Sequence, residues 1–391
     1  MKPLLIVLIS IVINSGCEKN LSSQFPYTPP VENNDGLHVG SLSEVHMDEA
    51  SIQTAAGRIH RGKYGEVHSM LIYKNELLVS EEYFEGHQYQ WDGPGHYGEV
   101  VAWNKDMQHC IHSDTKSIVS LCIGIAIDHG YIKDVNQSIF KYLPDYQHLK
   151  TAAKEKITIE HLLTMTSGLQ WGEWGIPLSS IKNDQIGIWF WEDGPMNYVL
   201  GRDLVAEPGT RFNYSGGDIQ ILVEILKNAT GMTLDDFSVQ YLFEPMGITS
   251  YDWWLIFPSG EIQGAGGLKL TPRDMVKIGA MMLNKGVWDG NRIISESWVS
   301  KCTTPYPGNT GIEIPGEDAG KVGYAYTWWT NRIDHSGVKI PCYLALGWGG
   351  QKIIIVPNLD MVLVFTGANY LSKVHQFEII ERYILPAING E

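Results

Sequence analysis

The sequence predicts an α+β fold in which strands from both ends of the chain form one antiparallel sheet. Two observations carry this prediction: paired apolar runs lie near the two ends, and helix signals fill the stretch between them. The chain has 391 residues, 44% of them hydrophobic, so it can bury the core of one large domain. We place this domain at 43–391, with helices flanking the sheet and a mostly helical lobe inserted at roughly 130–300.

The terminal strands are predicted from two hairpin signals. Apolar-rich runs at 67–73 and 77–84 are separated by a Lys-Asn-Glu turn, and runs at 352–356 and 361–366 are separated by a Pro-Asn-Leu-Asp turn. Apolar runs joined by such short polar segments are typical of β-hairpins. We therefore expect the first and last strands to meet in one sheet.

The middle of the chain shows helix signals. Thr271 and Pro272 have the cap and first-turn proline of a helix that stops at Gly286. An apolar stripe with the spacing 0, 3, 4 and 7 begins at Ile219 and ends before Gly231. Both segments are predicted to be helical.

The first residues predict export. Residues 1–16 have the charged start, short apolar core and small-residue exit of a secretory signal, and they are too few to span a bilayer stably. Cys17 follows Ser-Gly and resembles a bacterial lipoprotein processing site, so we expect a periplasmic protein whose only membrane contact is a lipid on Cys17. Simple cleavage at the same small residues is the alternative. Residues 17–42 are polar and Pro-rich and are predicted to form a tether.

Charge and metal-ligand patterns exclude several function classes. The 44 acidic residues outnumber the 29 basic ones, for a net charge of -15, and they are dispersed along the chain. Nucleic acid is not an expected partner, because binding to its backbone needs a basic face. His109 and His112 bracket the only tight His/Cys cluster, and no HExxH accompanies them, so we expect no metal and no other cofactor.

Four cysteines follow Cys17. An exported protein permits disulfides, but four positions allow three pairings, and the sequence does not choose among them. Cys122 lies within an apolar helical run, where we expect a buried free thiol. The four residues are Cys110, Cys122, Cys302 and Cys342.

A serine hydroxyl needs a base to become a nucleophile. No GxSxG motif occurs, and the other common base is a lysine one helical turn after the serine, on the same helix face. Of four such pairs, only Ser113 and Lys116 open a nearly all-apolar helix, which must be buried on all sides. The helix N-terminus favours developing negative charge at Ser113, and burial makes Lys116 a usable base. The other pairs are Ser138-Lys141, Ser179-Lys182 and Ser336-Lys339.

With Ser113-Asp114-Thr115-Lys116 as its first motif, the chain resembles the class C β-lactamase, esterase and D-aminopeptidase group of penicillin-recognising serine hydrolases. The resemblance runs from about 67 to 365 and implies a β-lactamase/transpeptidase-like fold and an acyl-enzyme on Ser113. Companion motifs follow in order: Gly130-Tyr131-Ile132, Tyr142-Leu143-Pro144, the segments 157–169 and 208–215, and Gly266-Gly267-Leu268.

The family's second motif, Tyr-x-Asn, falls on Tyr214-Ser215-Gly216. The resemblance makes Tyr214 the proton-relay partner, since its oxygen can accept the serine proton as a phenolate or pass it to the leaving group. Gly216 replaces the Asn, so a substrate amide that the Asn would hold is not held in that way. Ser215 and Gly216 are candidate substrate-binding residues.

The third motif falls on Trp348-Gly349-Gly350, and these residues are further substrate-binding candidates, because glycines let a substrate approach the backbone closely. The resemblance makes the N–H groups of Ser113 and Gln351 the oxyanion hole. Trp348 replaces the cation that faces the substrate carboxylate in β-lactamases; the alternative is a Trp that only packs on the sheet. Lys352 lies four residues beyond Trp348, about 13 Å along a strand, so we do not expect it to substitute.

These motifs predict a serine hydrolase that cleaves a small-molecule ester or amide and is esterase-like rather than a β-lactamase. Two alternatives stay open: a hydrolase of D-peptides or linear amides, and a non-hydrolysing binder or sensor that acylates and stalls. Tryptophans near the motifs are candidates for an apolar acyl pocket. They are Trp171, Trp174, Trp189, Trp191, Trp328 and Trp329.

Overall fold

A computed structural model describes residues 25–388. Its largest element is an antiparallel sheet of eight strands in the order β3-β4-β5-β6-β7-β8-β1-β2. The strands are β1 (Val67–Lys74), β2 (Leu77–Tyr83), β3 (Thr310–Glu313), β4 (Lys321–Tyr324), β5 (Trp329–His335), β6 (Val338–Gly347), β7 (Gln351–Val356) and β8 (Met361–Gly367).

The predicted α+β fold is confirmed, and the two predicted hairpins are β1-β2 and β7-β8. Strand β8 pairs with β1, with Phe365 opposite Met70 and Met361 opposite Lys74, so the two ends of the chain meet within the sheet. β1, β7 and β8 are buried along their whole length. Their nearly unbroken apolar sequences are those of central strands covered on both faces.

Ten α-helices surround this sheet in the described part of the chain. They are α1 (Glu49–His60), α2 (Asp114–Asp128), α3 (Ile159–Leu163), α4 (Asp184–Gly187), α5 (Pro195–Leu200), α6 (Gly216–Thr230), α7 (Leu234–Ser238), α8 (Pro272–Leu283), α9 (Glu296–Thr303) and α10 (Gln376–Ile379). The helices predicted from the cap at Thr271 and from the stripe at Ile219 are α8 and α6. No helix among residues 25–388 is long and apolar enough to cross a membrane.

Helix α2 is the buried rod that its sequence predicts. Every residue from Asp114 to Ala126 is buried, and the helix packs against α6 and β6. Short strands outside the main sheet hold the segment before it: His109–Cys110 pairs with Leu268–Leu270, which also pairs with Tyr251–Trp253. The remaining pairs are Glu85–Tyr89 with Tyr97–Ala102, and Val287–Trp288 with Asn291–Arg292.

The predicted boundaries of the helical lobe need correction. Helix α8 packs on β1, β7 and β8, and a Cβ at Gly279 would lie 2.4 Å from Val362, so this helix belongs to the sheet layer. The lobe therefore ends before residue 272. The stretch 130–300 also contains the short strands at 251–253 and 268–270, which support the loop ahead of α2.

The predicted start of the folded domain at residue 43 is too late. Leu37 and Leu42 are buried in the core, and the Tyr27 hydroxyl donates to Val79 O at 2.7 Å. Asp35 forms an ion pair with the nearly buried Arg273 at 2.6 Å. Leu37, Leu42 and the partly buried Tyr27 thus pack against the domain. Residues 1–24, with the predicted signal and Cys17, lie outside the described residues.

All four described cysteines are free thiols. Cys122 is buried inside α2, as its apolar surroundings predict. Cys302 and Cys342 are also buried, and Cys110 is half-buried.

Candidate active site

Ser113 lies at the N-cap of α2, and Lys116 lies one turn further along the helix. Lys116 Nζ donates to Ser113 Oγ at 2.9 Å and to Ala265 O at 2.7 Å. The Ser113 side chain does not cap the helix, so its oxygen is available for other chemistry. Just ahead of it, the Ile111 N–H donates to Leu268 O at 3.1 Å and fixes the approach to the helix.

Lys116 is buried without a counter-ion. Its side chain is 1% exposed, and no carboxylate among residues 25–388 forms an ion pair with it. Burial lowers the pKa of Lys116, while the charges of Glu173 and Asp114 act in the opposite direction. Burial also raises the pKa of Asp114 well above its usual range, which favours the uncharged carboxyl. The lysine therefore has easier access to its neutral form than an exposed one.

Tyr214 lies beside this pair. Its ring stacks against Trp174, with centroids 4.9 Å apart, and against Trp329, with centroids 5.8 Å apart; the two tryptophan rings are themselves 6.2 Å apart. Lys116 Nζ lies 4.9 Å from the centroid of the Tyr214 ring. Burial and the Glu173 charge raise the pKa of Tyr214 well above its usual range, and a hydrogen bond with the Ser113 side chain opposes them. The hydroxyl is thus protonated at neutral pH.

The next two residues of the second motif do not line the cavity, contrary to expectation. Ser215 is buried and caps α6, and its Oγ accepts a hydrogen bond from Asp218 N at 3.0 Å. The Gly216 N–H donates to Glu173 Oε2 at 2.8 Å. The Ser215 hydroxyl and the Gly216 N–H are therefore both engaged at the N-terminus of α6, which needs a cap and partners for its free N–H groups.

Residues 348–350 form the turn between β6 and β7. Trp348 lines the cavity, but Gly349 and Gly350 do not. Their φ angles are +84° and +100°, and a Cβ would lie 2.5 Å from Tyr370 in one case and 2.5 Å from Gln376 in the other. The turn and its packing therefore require these glycines. The predicted close approach of substrate does not explain them.

Gln351 is buried, and its side chain fastens this turn to β8. Its Nε2 donates to Gly367 O at 2.6 Å and to Trp348 O at 3.1 Å. A Cβ at Gly347 would lie 2.1 Å from Ile111 O, so the end of β6 lies against the segment before Ser113. Gln351 is not among the residues that line the cavity, and its N–H as an oxyanion donor stays a prediction.

Lys352 does not reach the cavity. It is 0% exposed, forms an ion pair with Glu317 Oε2 at 2.8 Å and donates to Gln376 Oε1. The three other Ser-x-x-Lys pairs are absent from the cavity wall. Lys339 pairs with Asp334, for example, and Lys141 donates to Gln137.

A cavity of about 770 Å³ opens onto Ser113. Of the six tryptophans predicted to form an acyl pocket, Trp174, Trp189 and Trp329 line it, whereas the other three do not. Sequence reasoning missed four further aromatic residues: Tyr89 ends a short strand, Phe190 ends a 3-10 helix, and Trp91 and Trp254 lie on loops. The cavity's aromatic lining is Tyr89, Trp91, Trp174, Trp189, Phe190, Tyr214, Trp254, Trp329 and Trp348.

The charged groups on this wall are acidic. Within residues 25–388, Glu173 and Glu317 are the charged residues that line the cavity, and Glu317 is paired with Lys352. Glu173 Oε2 accepts hydrogen bonds from Trp171 Nε1 at 2.9 Å and from Gly216 N at 2.8 Å. His112 also lines the cavity, and burial lowers its pKa to about 3, so its ring is neutral. No local sequence pattern identifies Glu173.

Comparisons with known proteins found a matching family model and several similar proteins. The Beta-lactamase family model matches residues 69–368. The 6-aminohexanoate-dimer hydrolase of Paenarthrobacter ureafaciens is 24% identical over 266 residues, which are 66% of this chain and 66% of that protein.

Solved structures share the fold at lower identity. A family VIII carboxylesterase superposes with a TM-score of 0.63 at 17% identity, over 85% of this chain and 96% of that one. A D-stereospecific amidohydrolase from Streptomyces sp. superposes with a TM-score of 0.62 at 14% identity, over 86% of this chain and 98% of that one.

Proposed function

The chain belongs to the beta-lactamase family of serine hydrolases, and from this premise we propose that it hydrolyses neutral carboxylic esters through an acyl-enzyme on Ser113. One observation carries the proposal: Lys116, buried without a counter-ion, lies 2.9 Å from Ser113 Oγ in a cavity lined by aromatic rings. This arrangement supplies a nucleophile, a base and an apolar binding site together.

In the proposed reaction, neutral Lys116 takes the proton of Ser113 Oγ as that oxygen attacks the substrate carbonyl carbon. The N–H groups of Ser113 and Gln351 are the proposed donors to the resulting oxyanion. Because its pKa is raised, Tyr214 acts through its protonated hydroxyl and relays a proton to the leaving alkoxide. Water then attacks the acyl-enzyme and releases the acid.

The cavity's charges support a neutral substrate over a β-lactam. An anionic substrate would lose hydration beside Glu173 and Glu317. At the place where a cation is expected in β-lactamases, Trp348 offers an indole with one donor and no charge. Discrimination against a carboxylate-bearing substrate should therefore be large.

A second candidate is the hydrolysis of linear amides that carry an ammonium group. Glu173 favours it, because this carboxylate lines the cavity and forms no ion pair within the described residues. The curated relative from Paenarthrobacter ureafaciens bears the name of an amide hydrolase, which is consistent with this candidate.

Steady-state kinetics on p-nitrophenyl pentanoate, a chromogenic cephalosporin and a linear 6-aminohexanoate dimer will test the proposal. We expect kcat/KM for the ester to exceed that for the cephalosporin about 100-fold or more, because the anion lacks a counter-charge. A higher value for the cephalosporin would contradict the proposal, and preferential turnover of the dimer would favour the second candidate.

Ser113→Ala is the matched control for these measurements. It should abolish turnover and labelling by a serine-directed covalent probe and leave the fold intact, because the Ser113 side chain does not cap α2. Equal labelling of the variant would remove Ser113 from the mechanism. A single burst of product followed by no turnover would instead identify an acylating sensor.

A further inference from the structure

Two carboxamides on the cavity wall have no assigned partner. Gln185, in α4, is half-buried and lines the cavity, and its side chain makes no hydrogen bond within residues 25–388. Gln263 is 6% exposed and also lines the cavity, and its Oε1 is buried without a hydrogen-bond partner. A buried carbonyl oxygen without a partner is costly, and such groups in native proteins usually have a ligand or water to bind.

We propose that Gln185 and Gln263 recognise an amide group in the acyl part of the substrate. This inference rests on the proposed ester or amide hydrolysis at Ser113 and names its substrate class: compounds whose acyl group itself contains a secondary amide. A carboxamide offers one acceptor and two N–H donors, so it complements both the C=O and the N–H of such a group.

Gln185 is placed beside the reacting groups by the glycine at the start of α6. A Cβ at Gly216 would lie 2.4 Å from Gln185 Oε1 and 2.6 Å from its Nε2, so the Gln185 carboxamide fills the space that a side chain at position 216 would occupy. Gly216 follows Tyr214 by two residues, and its N–H is bonded to Glu173.

Gln263 reaches the cavity from the loop that also binds the lysine. Ala265 O, two residues later, accepts a hydrogen bond from Lys116 Nζ at 2.7 Å. The Gln263 N–H donates to Leu255 O at 2.9 Å, which fixes the backbone of this residue. The third carboxamide on the wall, Asn183, differs from both: its Nδ2 donates to Glu173 O and Ile176 O, and its Oδ1 accepts from Gln185 N. Asn183 holds the loop and has no free group for a ligand.

A matched pair of esters tests the proposal. p-Nitrophenyl N-acetylglycinate and p-nitrophenyl pentanoate have acyl chains of equal length, and only the first contains an amide. We define the amide preference as the ratio of their kcat/KM values. Comparing this ratio between enzymes cancels the intrinsic reactivity of the two esters.

In Gln185→Leu and in Gln263→Leu, we expect the amide preference to fall about fivefold each, mainly through KM, as is typical for the loss of one hydrogen bond to a neutral group. Gln170→Leu makes the same substitution at an exposed position away from the cavity and should leave the ratio unchanged. Thermal melts will check that each variant is folded, and Gln263→Leu removes a buried unpaired oxygen without breaking a hydrogen bond.

Three outcomes distinguish this inference from the proposed function. A lower amide preference in both cavity variants, with the control unchanged, supports the inference. An unchanged ratio in the folded variants overturns it and leaves Ser113-dependent ester hydrolysis standing. If the unmodified enzyme turns over neither ester, the proposed ester hydrolysis fails, and this inference fails with it.

Discussion

Two buried lysines that both interact with Asp114 differ in their partners. Lys116 donates to a serine hydroxyl and a backbone carbonyl, whereas Lys352 is paired with the Glu317 carboxylate at 2.8 Å. A buried cation with only neutral partners has its pKa lowered, as in Lys116. One with a carboxylate at contact distance is held as part of an ion pair. The partner, more than the burial, therefore separates a candidate base from a structural charge.

The largest effect is expected at Lys116. Lys116→Arg keeps a cation one turn after Ser113 but removes the base, because a guanidinium is not deprotonated in proteins. We expect kcat for p-nitrophenyl pentanoate to fall about 10³-fold. Lys141→Arg, at the exposed Ser138-Lys141 pair, is the matched control and should retain full activity. Near-normal turnover by Lys116→Arg would show that Lys116 is not the base, and the contrast with Lys352 would then not identify a catalytic lysine.

Replacing Lys352 should lower the free energy of unfolding rather than the catalytic rate. Lys352→Met leaves Glu317 buried without its counter-ion, which typically costs 3–5 kcal/mol, so we expect about that loss in the free energy of unfolding. Urea unfolding will measure it. Adding Glu317→Gln removes the orphaned charge and should recover a large part of the loss. A double variant as unstable as Lys352→Met would show that the ion pair is not the cause.

The sequence predicted the parts of this molecule that depend on local spacing. The hairpins, helices α6 and α8, and the contact between Lys116 and Ser113 all follow from neighbours within a few residues. Gln185, Glu173 and Trp254 had no such signal, because they come to one cavity from segments that are distant in sequence.

Two further features depend on packing between distant parts of the chain, which the sequence does not show. A glycine that a turn needs for a positive φ and a glycine that a substrate needs for close approach look identical in sequence, so the need for Gly349 and Gly350 in the turn was visible only in the structure. The segment 25–42 looked like a tether because its polar residues dominate its composition. Leu37 and Leu42 become buried only through packing against distant parts of the chain.

Asp218 is the acidic counterpart of Lys116, and its effect should appear as a dependence of stability on pH. It is buried and has no ion pair among the described residues; its Oδ1 accepts from Ser167 Oγ at 2.7 Å, and its Oδ2 has no partner. Burial raises the pKa of Asp218 to about 8, against the hydrogen bonds from Ser167 and Ser215. The rule that burial without a counter-ion favours the neutral form thus predicts a protonated carboxyl at pH 7.

The sign of the pH effect follows from linkage. Below about pH 4, Asp218 is protonated in both the folded and the unfolded state, so it imposes no penalty. As the pH rises from about 4 to 8, the unfolded state ionises first, and folded wild-type protein loses stability that Asp218→Asn does not lose. The stability of the variant relative to wild type should therefore increase with pH by about 1.4 kcal/mol per unit and level off above pH 8. Denaturant unfolding of both proteins at pH 5, 6, 7 and 8 measures this difference. If the difference is constant with pH, Asp218 is ionised in the folded protein, and the rule drawn from Lys116 does not extend to it.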